Sequence, residues 1–224
     1  MQKHEDLGCM AIEVLKRDHE LAELDLGDDA HLEKNGMAFD TEAYAVAGLG
    51  HLCVMRMRAM LGLMRMETVV LAATEKDLPL FNIDWVGVAA LETQLIEYYD
   101  TQLEPCSDEL LNMLRVVKSH AAGLPDKDST PRWYDALIMP VSLGKRGIGC
   151  TRRFNEVSRE AFTSFVSKAD PLPPCDSVAK AEKVRSFAEE LVSRGGPAVD
   201  QVAKLFGAET ARRLVVNHMY GVRE

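Results

Sequence analysis

Asp84 is the residue whose setting most demands a chemical explanation. It stands between Ile83 and Trp85 in the run Leu80–Val88, LFNIDWVGV, a stretch rich in strand-forming side chains. Asp is depleted in strands, and an ionised carboxylate buried without a partner is costly. Two arrangements remove that cost. A neighbouring arginine or backbone amides can satisfy the carboxylate, or desolvation can raise its pKa toward neutrality and leave a proton donor. The residues alone favour the first.

Cations are the second group with chemical potential. Arg56, Arg58 and Arg65 fall in the strand-like stretch ahead of Asp84, and Lys145, Arg146, Arg152 and Arg153 cluster farther along. A guanidinium binds a carboxylate in a two-pronged fork, so any of these suits an anionic ligand, although a solvated sheet face explains them as well. Five cysteines, Cys9, Cys53, Cys106, Cys150 and Cys175, are odd in number and form no C-x-x-C, which argues against a disulfide framework or a zinc site. The six histidines include no pair at metal-binding helical spacing; His51 and His218 are the ones to watch. The run Leu143–Gly149 contains G-x-x-G-x-G without Walker spacing and reads as a turn, and no Rossmann, P-loop, H-E-x-x-H or G-x-S-x-G motif occurs.

The elements that must position these residues follow from periodicity. Glu5 to Leu26 carries apolar residues at helical spacing and predicts an amphipathic helix ending at Gly27. Strands are expected at Tyr44–Ala47, Leu52–Met60, Leu63–Ala73, Leu80–Val88, Thr93–Asp100 and Leu137–Leu143. A tight turn at Leu61-Gly62 would set Arg56 beside Glu67 and Arg58 beside Arg65, a like-charge pair that calls for a nearby acid or anion. Helices are expected at Cys106–Ala121, with Ser107 as cap, at Asn155–Ala169, at Val178–Ser193, and in one or two pieces from Ala198 to Asn217. Consecutive strands followed by helices imply an α+β domain with an antiparallel sheet and helices against its faces.

Composition narrows the function classes. The 224 residues suit one domain spanning 1–224, since no repeat or low-complexity linker divides them. Residues 1–42 hold twelve Asp/Glu against four Lys/Arg, so most of the net charge of −9 sits in an acidic, helical N-terminal segment. Nucleic-acid binding is not expected, because no basic face is large enough to displace phosphate counterions. No apolar run approaches the ~18 residues of a membrane span, and the start MQKHEDLG is not a secretory signal. No membrane partner and a cytoplasmic location are therefore expected.

The run DLPLFNIDWV, followed by a strand closing in YYDTQLEP, resembles the central signature of the ferredoxin-dependent bilin reductases. The C-terminal PAVDQVAKLFGAETARRLVVNHMYGV is similar to that family's last helices, and Pro131-Arg132-Trp133 gives a weaker match. The resemblance runs in order from about residue 50 onward. It implies an α/β/α sandwich with a central antiparallel sheet and a linear tetrapyrrole, biliverdin or a related bilin, held between sheet and helices. Reduced ferredoxin or a flavodoxin-type donor would deliver electrons one at a time, with no metal, flavin or nicotinamide. By the same resemblance Asp84 is the proton donor, Trp85 lies at the substrate, and Arg56, Arg58, Arg65, Lys145 and Arg146 are the candidates to meet the propionates.

An acidic ferredoxin would need a basic face, for which Lys145 to Arg153 is the best stretch, although those residues cannot all serve propionates and partner. The chain also departs from the family pattern. No His lies on the strand before Asp84, and Pro197 follows Gly196 where many members have an Asp. Glu97, Asp100 and Asp135 are the replacements to consider. The missing second acid leaves a non-catalytic tetrapyrrole carrier of the same fold as the alternative. A third reading, an interaction module acting through the acidic N-terminal segment, would gain if no pigment binds.

Overall fold

The computed structural model of the chain describes residues 4–128 and 131–222. Its centre is an eight-stranded antiparallel sheet: β1 (Leu21–Glu23), β2 (His31–Lys34), β3 (Met37–Val46), β4 (Gly50–Ala59), β5 (Met64–Ala72), β6 (Leu80–Val88), β7 (Leu91–Tyr99) and β8 (Leu143–Ile148). Strands β3 to β8 lie side by side in chain order, and β1 and β2 each pair with a different part of β3. The helices are α1 (Leu7–Leu15), α2 (Asp108–His120), α3 (Thr151–Ala169), α4 (Ser177–Arg194), α5 (Pro197–Phe206) and α6 (Ala208–Arg212), the last running into a π-helical turn at Arg213–Met219.

Alternation along the strands divides the apolar side chains between two cores. Leu52, Val54, Val69, Leu71, Phe81, Ile83, Trp85, Ile96 and Tyr98 pack with residues of α1, α2 and α3. Cys53, Met55, Met57, Val70, Leu80 and Tyr99 pack with residues of α4, α5 and the C-terminal turn. Because helices cover both faces, stretches such as Leu52–Met55 of β4 and Val69–Ala72 of β5 read as continuous apolar runs. Phe81 anchors the first core, stacked on Phe165 with ring centroids 4.8 Å apart.

The β4–β5 hairpin has the expected register, Arg56 opposite Glu67 and Arg58 opposite Arg65. The like-charge pair is relieved because Arg58 donates to Asp40 at 2.7 Å while Arg65 lies over the Trp85 ring, 5.7 Å from its centroid. Strand β6 begins where the corner Asp77-Leu78-Pro79 is tied down. Asp77 accepts from the amides of Leu103 and Glu104 at 2.7 and 2.9 Å, and the buried Lys180 ammonium donates to the carbonyls of Leu78 and Thr101 at 2.5 and 2.7 Å. That corner fixes which residues of β6 face which side.

Two elements differ from the periodicity. The helix expected over Glu5–Leu26 stops at Leu15, and Leu21–Glu23 pairs with β3 instead, so the described part of the acidic segment 1–42, residues 4–42, is helix, turn and strand rather than helical throughout. Backbone pairing with a ready strand outweighs the weak helical pattern beyond Lys16. The strand expected over Leu137–Leu143 is reduced: Trp133–Leu137 forms a 3-10 turn, Ile138 makes only an isolated bridge to Tyr99, and the continuous ladder with β7 begins at Leu143. Pro140 supplies no amide to a ladder, and the glycine-rich run read as a turn is itself the edge strand β8. Its outer side is covered by the segment 125–127, where Lys127 donates to the Gly144 carbonyl and Arg146 to the Pro125 carbonyl, both at 3.0 Å.

Candidate functional site: an apolar cleft over Asp84

Period two along β6 puts Asn82, Asp84 and Val86 on the side facing α4 and the C-terminal turn, back to back with Ile83 and Trp85. The pairings Thr68 opposite Asp84 and Glu97 opposite Asn82 bring Thr68 and Glu97 onto the same floor. Tyr134, Leu191, Val199, Val215, Met219 and Tyr220 close over it. The resulting cleft encloses about 200 Å3, less than the roughly 300–1,000 Å3 of most small-molecule sites, and opens to solvent at its mouth, so an extended ligand would lie partly in that mouth.

Asp84 is half-buried at this floor. Its carboxylate accepts from the Thr68 hydroxyl at 2.5 Å and the Asn82 amide at 2.8 Å. Those bonds favour the charged form, as does the more distant Arg132, yet burial and the negative charge of Glu97 prevail and push the carboxyl up to about 6. Asp84 therefore exchanges its proton near neutral pH. Glu97, beside it, is already engaged: it accepts from the Tyr99 hydroxyl at 2.5 Å and the Arg132 guanidinium at 2.8 Å. Arg132 also donates to Asp135 at 2.9 Å and lies over the Tyr134 ring at 4.6 Å from its centroid. Burial pushes the Tyr99 and Tyr220 hydroxyls well above their usual range, so both remain protonated donors.

Such a site suits an extended, largely apolar ligand that carries an anionic group. Aromatic and aliphatic walls would hold its body, Arg132 could meet its anion, and Asp84 could hand it a proton.

The candidates from the sequence fall into two groups. Asp84 and Glu97 meet in the cleft, and Arg146 shares their side of the sheet, opposite Thr93 at an exposed position. Arg56, Arg58, Arg65, Trp85 and Lys145 do not join them, because the same alternation turns them to the other side. Arg56 is paired with Asp6 and Glu42 at 2.8 and 2.6 Å, and Trp85 is stacked under His4 with centroids 3.7 Å apart. Lys145 is buried, donating to the Leu124 carbonyl at 3.1 Å and to Asp126 at 2.7 Å, which also removes it from any docking face. Asp135 serves Arg132 from outside the cleft, and Asp100 is exposed. His51 bonds the His218 carbonyl at 2.7 Å, and His218 in turn meets Asp29 at 2.9 Å, so this pair fastens the π-helical turn.

Thr68, Asn82, Tyr99, Arg132, Tyr134 and Tyr220 were not singled out from the sequence as site residues. Counting by two from Asp84 along β6, and across the β5–β6 and β6–β7 pairings, finds the first three. Arg132 and the other two arrive from distant segments, and local periodicity carries no signal for them.

The sequence matches no protein-family model and no curated protein. Among solved structures the chain is similar to phytochromobilin synthase from tomato in complex with biliverdin, with a TM-score of 0.79 over 96% of this chain and 82% of that one, at 11% identity. The likeness is one of fold: a mostly antiparallel sheet with helices, of the α+β class.

Proposed function

We propose that this chain is a bilin reductase-like enzyme of three-layer α/β/α architecture that binds a linear tetrapyrrole of the biliverdin type in the Asp84 cleft and reduces it with electrons from a ferredoxin or flavodoxin-type donor. The observation that carries the reading is Asp84 itself, an acid raised to about 6 on the floor of an apolar cleft. The fold likeness to a protein whose structure contains biliverdin supports the choice of ligand. Adding two electrons to a bilin double bond requires two protons. Asp84 supplies the first, is recharged from water through the cleft mouth, and supplies the second after the second electron arrives, which a pKa near the working pH permits. Thr68 and Asn82 hold its oxygens in place, and Arg132 takes a ligand propionate in exchange for part of its present pairing with Glu97 and Asp135.

One observation favours a carrier that binds without reducing. Glu97 is occupied by Tyr99 and Arg132, which leaves Asp84 as the cleft's carboxyl without a cationic partner among the described residues. A single anaerobic experiment separates the readings. Biliverdin is mixed with the protein and its visible spectrum recorded; reduced ferredoxin is then added, with Asp84→Asn run in parallel. A band shift followed by turnover in wild type, with the variant stalled after binding, supports the reductase. Binding without turnover in wild type supports the carrier, and no band shift removes both.

A further inference from the structure

Large exposed apolar side chains concentrate at one end of the sheet. Leu61 is 104% exposed, Ile148 74%, Leu63 62% and Met60 60%, with Val88 beside them. They are neighbours through the ladder: Met64 pairs with Val88, Val88 with Leu91 and Leu91 with Ile148, while the Ala89 amide donates to the Leu63 carbonyl at 3.0 Å. Met60 and Leu61 form the protruding tip of the β4–β5 hairpin, both at positive φ, 53° and 54°. Large aliphatic residues rarely hold that conformation, and a tip serving only as a turn would be better made with Asn or Gly.

Two arginines flank this ridge within two ladder positions of the end. Arg65 projects on the Trp85 side and Arg146 on the Asp84 side. Both are exposed, and among the described residues neither has a carboxylate partner, in a chain whose net charge is −9.

We propose that this end of the sheet is a peripheral membrane contact: Leu61, Leu63 and Ile148 enter the headgroup region of an anionic bilayer while Arg65 and Arg146 meet lipid phosphates on either side. A protruding tip at Leu61, with Leu63 and Ile148 at the rim of a cavity of about 500 Å3 on the Trp85 side and a cation on each flank, fits a deformable surface that rises around both faces of the sheet. A second copy would oppose arginine to arginine. An acidic electron-transfer protein would make a small contact governed by charge and would leave the ridge in water. At physiological ionic strength repulsion from the acidic remainder is screened beyond roughly 8 Å, so the local cations decide the contact. No helix among the described residues is long and apolar enough to cross a membrane, so the contact is superficial. It departs from the sequence expectation of no membrane partner and does not depend on what fills the Asp84 cleft.

The test is sedimentation of the whole chain with vesicles of phosphatidylcholine alone and of phosphatidylcholine with phosphatidylglycerol. Wild type is compared with Leu61→Ser/Leu63→Ser and Arg65→Gln/Arg146→Gln, all at exposed positions and each checked by circular dichroism. Wild type is expected to sediment with the anionic vesicles. The arginine variant should lose about thirtyfold in partitioning to them, from about 1 kcal/mol per surface cation. The serine variant should likewise lose binding to the anionic vesicles. Absence of wild-type binding, or binding untouched by either variant, overturns the proposal. So does a gel-filtration result in which wild type is a dimer and the serine variant a monomer, or loss of ferredoxin binding in the arginine variant with vesicle binding unchanged.

Discussion

Replacing Asp84 by Asn tests the electrostatics of the cleft without any ligand. The carboxyl rises from 3.8 to about 6 because burial outweighs the hydrogen bonds of Thr68 and Asn82. A folded pKa above the unfolded one means that the folded state holds the proton more tightly. Asp84's contribution is therefore fully present below about pH 3.8 and is lost as pH rises through about 6. The complete loss is about 3 kcal/mol, and about 2 kcal/mol of it falls between about pH 4.5 and 7.5. Asn cannot ionise, and it keeps a donor and an acceptor for Thr68 and a reoriented Asn82. Asp84→Asn should therefore gain on wild type with rising pH, by about 2 kcal/mol across that interval. In urea unfolding this is a relative midpoint shift of about 1 M for an m-value of about 2 kcal/mol/M. Taking the difference cancels the other titrating groups. A difference that stays constant between the two pH values would mean that the folded carboxyl titrates normally, and the desolvated-donor argument would be wrong.

Other consequences are as concrete. Glu97→Gln removes a charge that raises Asp84, so the Asp84 pKa read by carboxyl-region NMR should fall below about 6; an unchanged or higher value would refute the coupling. Phe81→Ala opens a cavity among Tyr98, Phe162 and Phe165 and should cost about 3 to 5 kcal/mol in denaturant unfolding, with a loss under 1 kcal/mol counting against the packing described. Asp29, held below the usual carboxylate range chiefly by the Arg213 hydrogen bond, stabilises the π-helical turn above that range. Asp29→Asn should cost about 1 to 2 kcal/mol near pH 7, and the deficit should shrink as acid protonates the wild-type carboxylate; a deficit independent of pH would exclude the ionic role.

The sheet was legible in the sequence where strands alternate between two apolar cores and turns carry Gly or Pro. β6 was located to the residue, and the β4–β5 register followed from the tight turn at Leu61-Gly62. What failed was governed by distant partners. Leu21–Glu23 looked helical because nothing nearby announces β3, and β8 looked like a turn because its glycines find their partners in β7 and in the segment 125–127, both distant in sequence pattern. The site divided in the same way. Asp84 was visible because a carboxylate in an apolar strand is locally anomalous, whereas Arg132 reaches Glu97 across 35 positions of chain. The arginines of β4 and β5 were attractive by type, but side-chain parity within a strand decides the face, and parity with Asp84 excludes Arg56, Arg58 and Arg65 from the cleft.

The cover over β8 has a consequence for how these molecules behave in company. An edge strand is a template on which another chain can polymerise, and β8 is poor in bulky side chains that would keep an intruder away. The segment 125–127 acts as a chain terminator: it takes up the Gly144 carbonyl and the Arg146 amide, and Pro125 has no amide hydrogen to pass the ladder on. Lys145 reinforces it, since its ammonium clamps Leu124 and Asp126 and would be stranded if that cover peeled away. Lys145→Val should therefore shorten the lag of thioflavin-positive aggregation under mild heating, and an unchanged lag would show that the cover holds without its clamp.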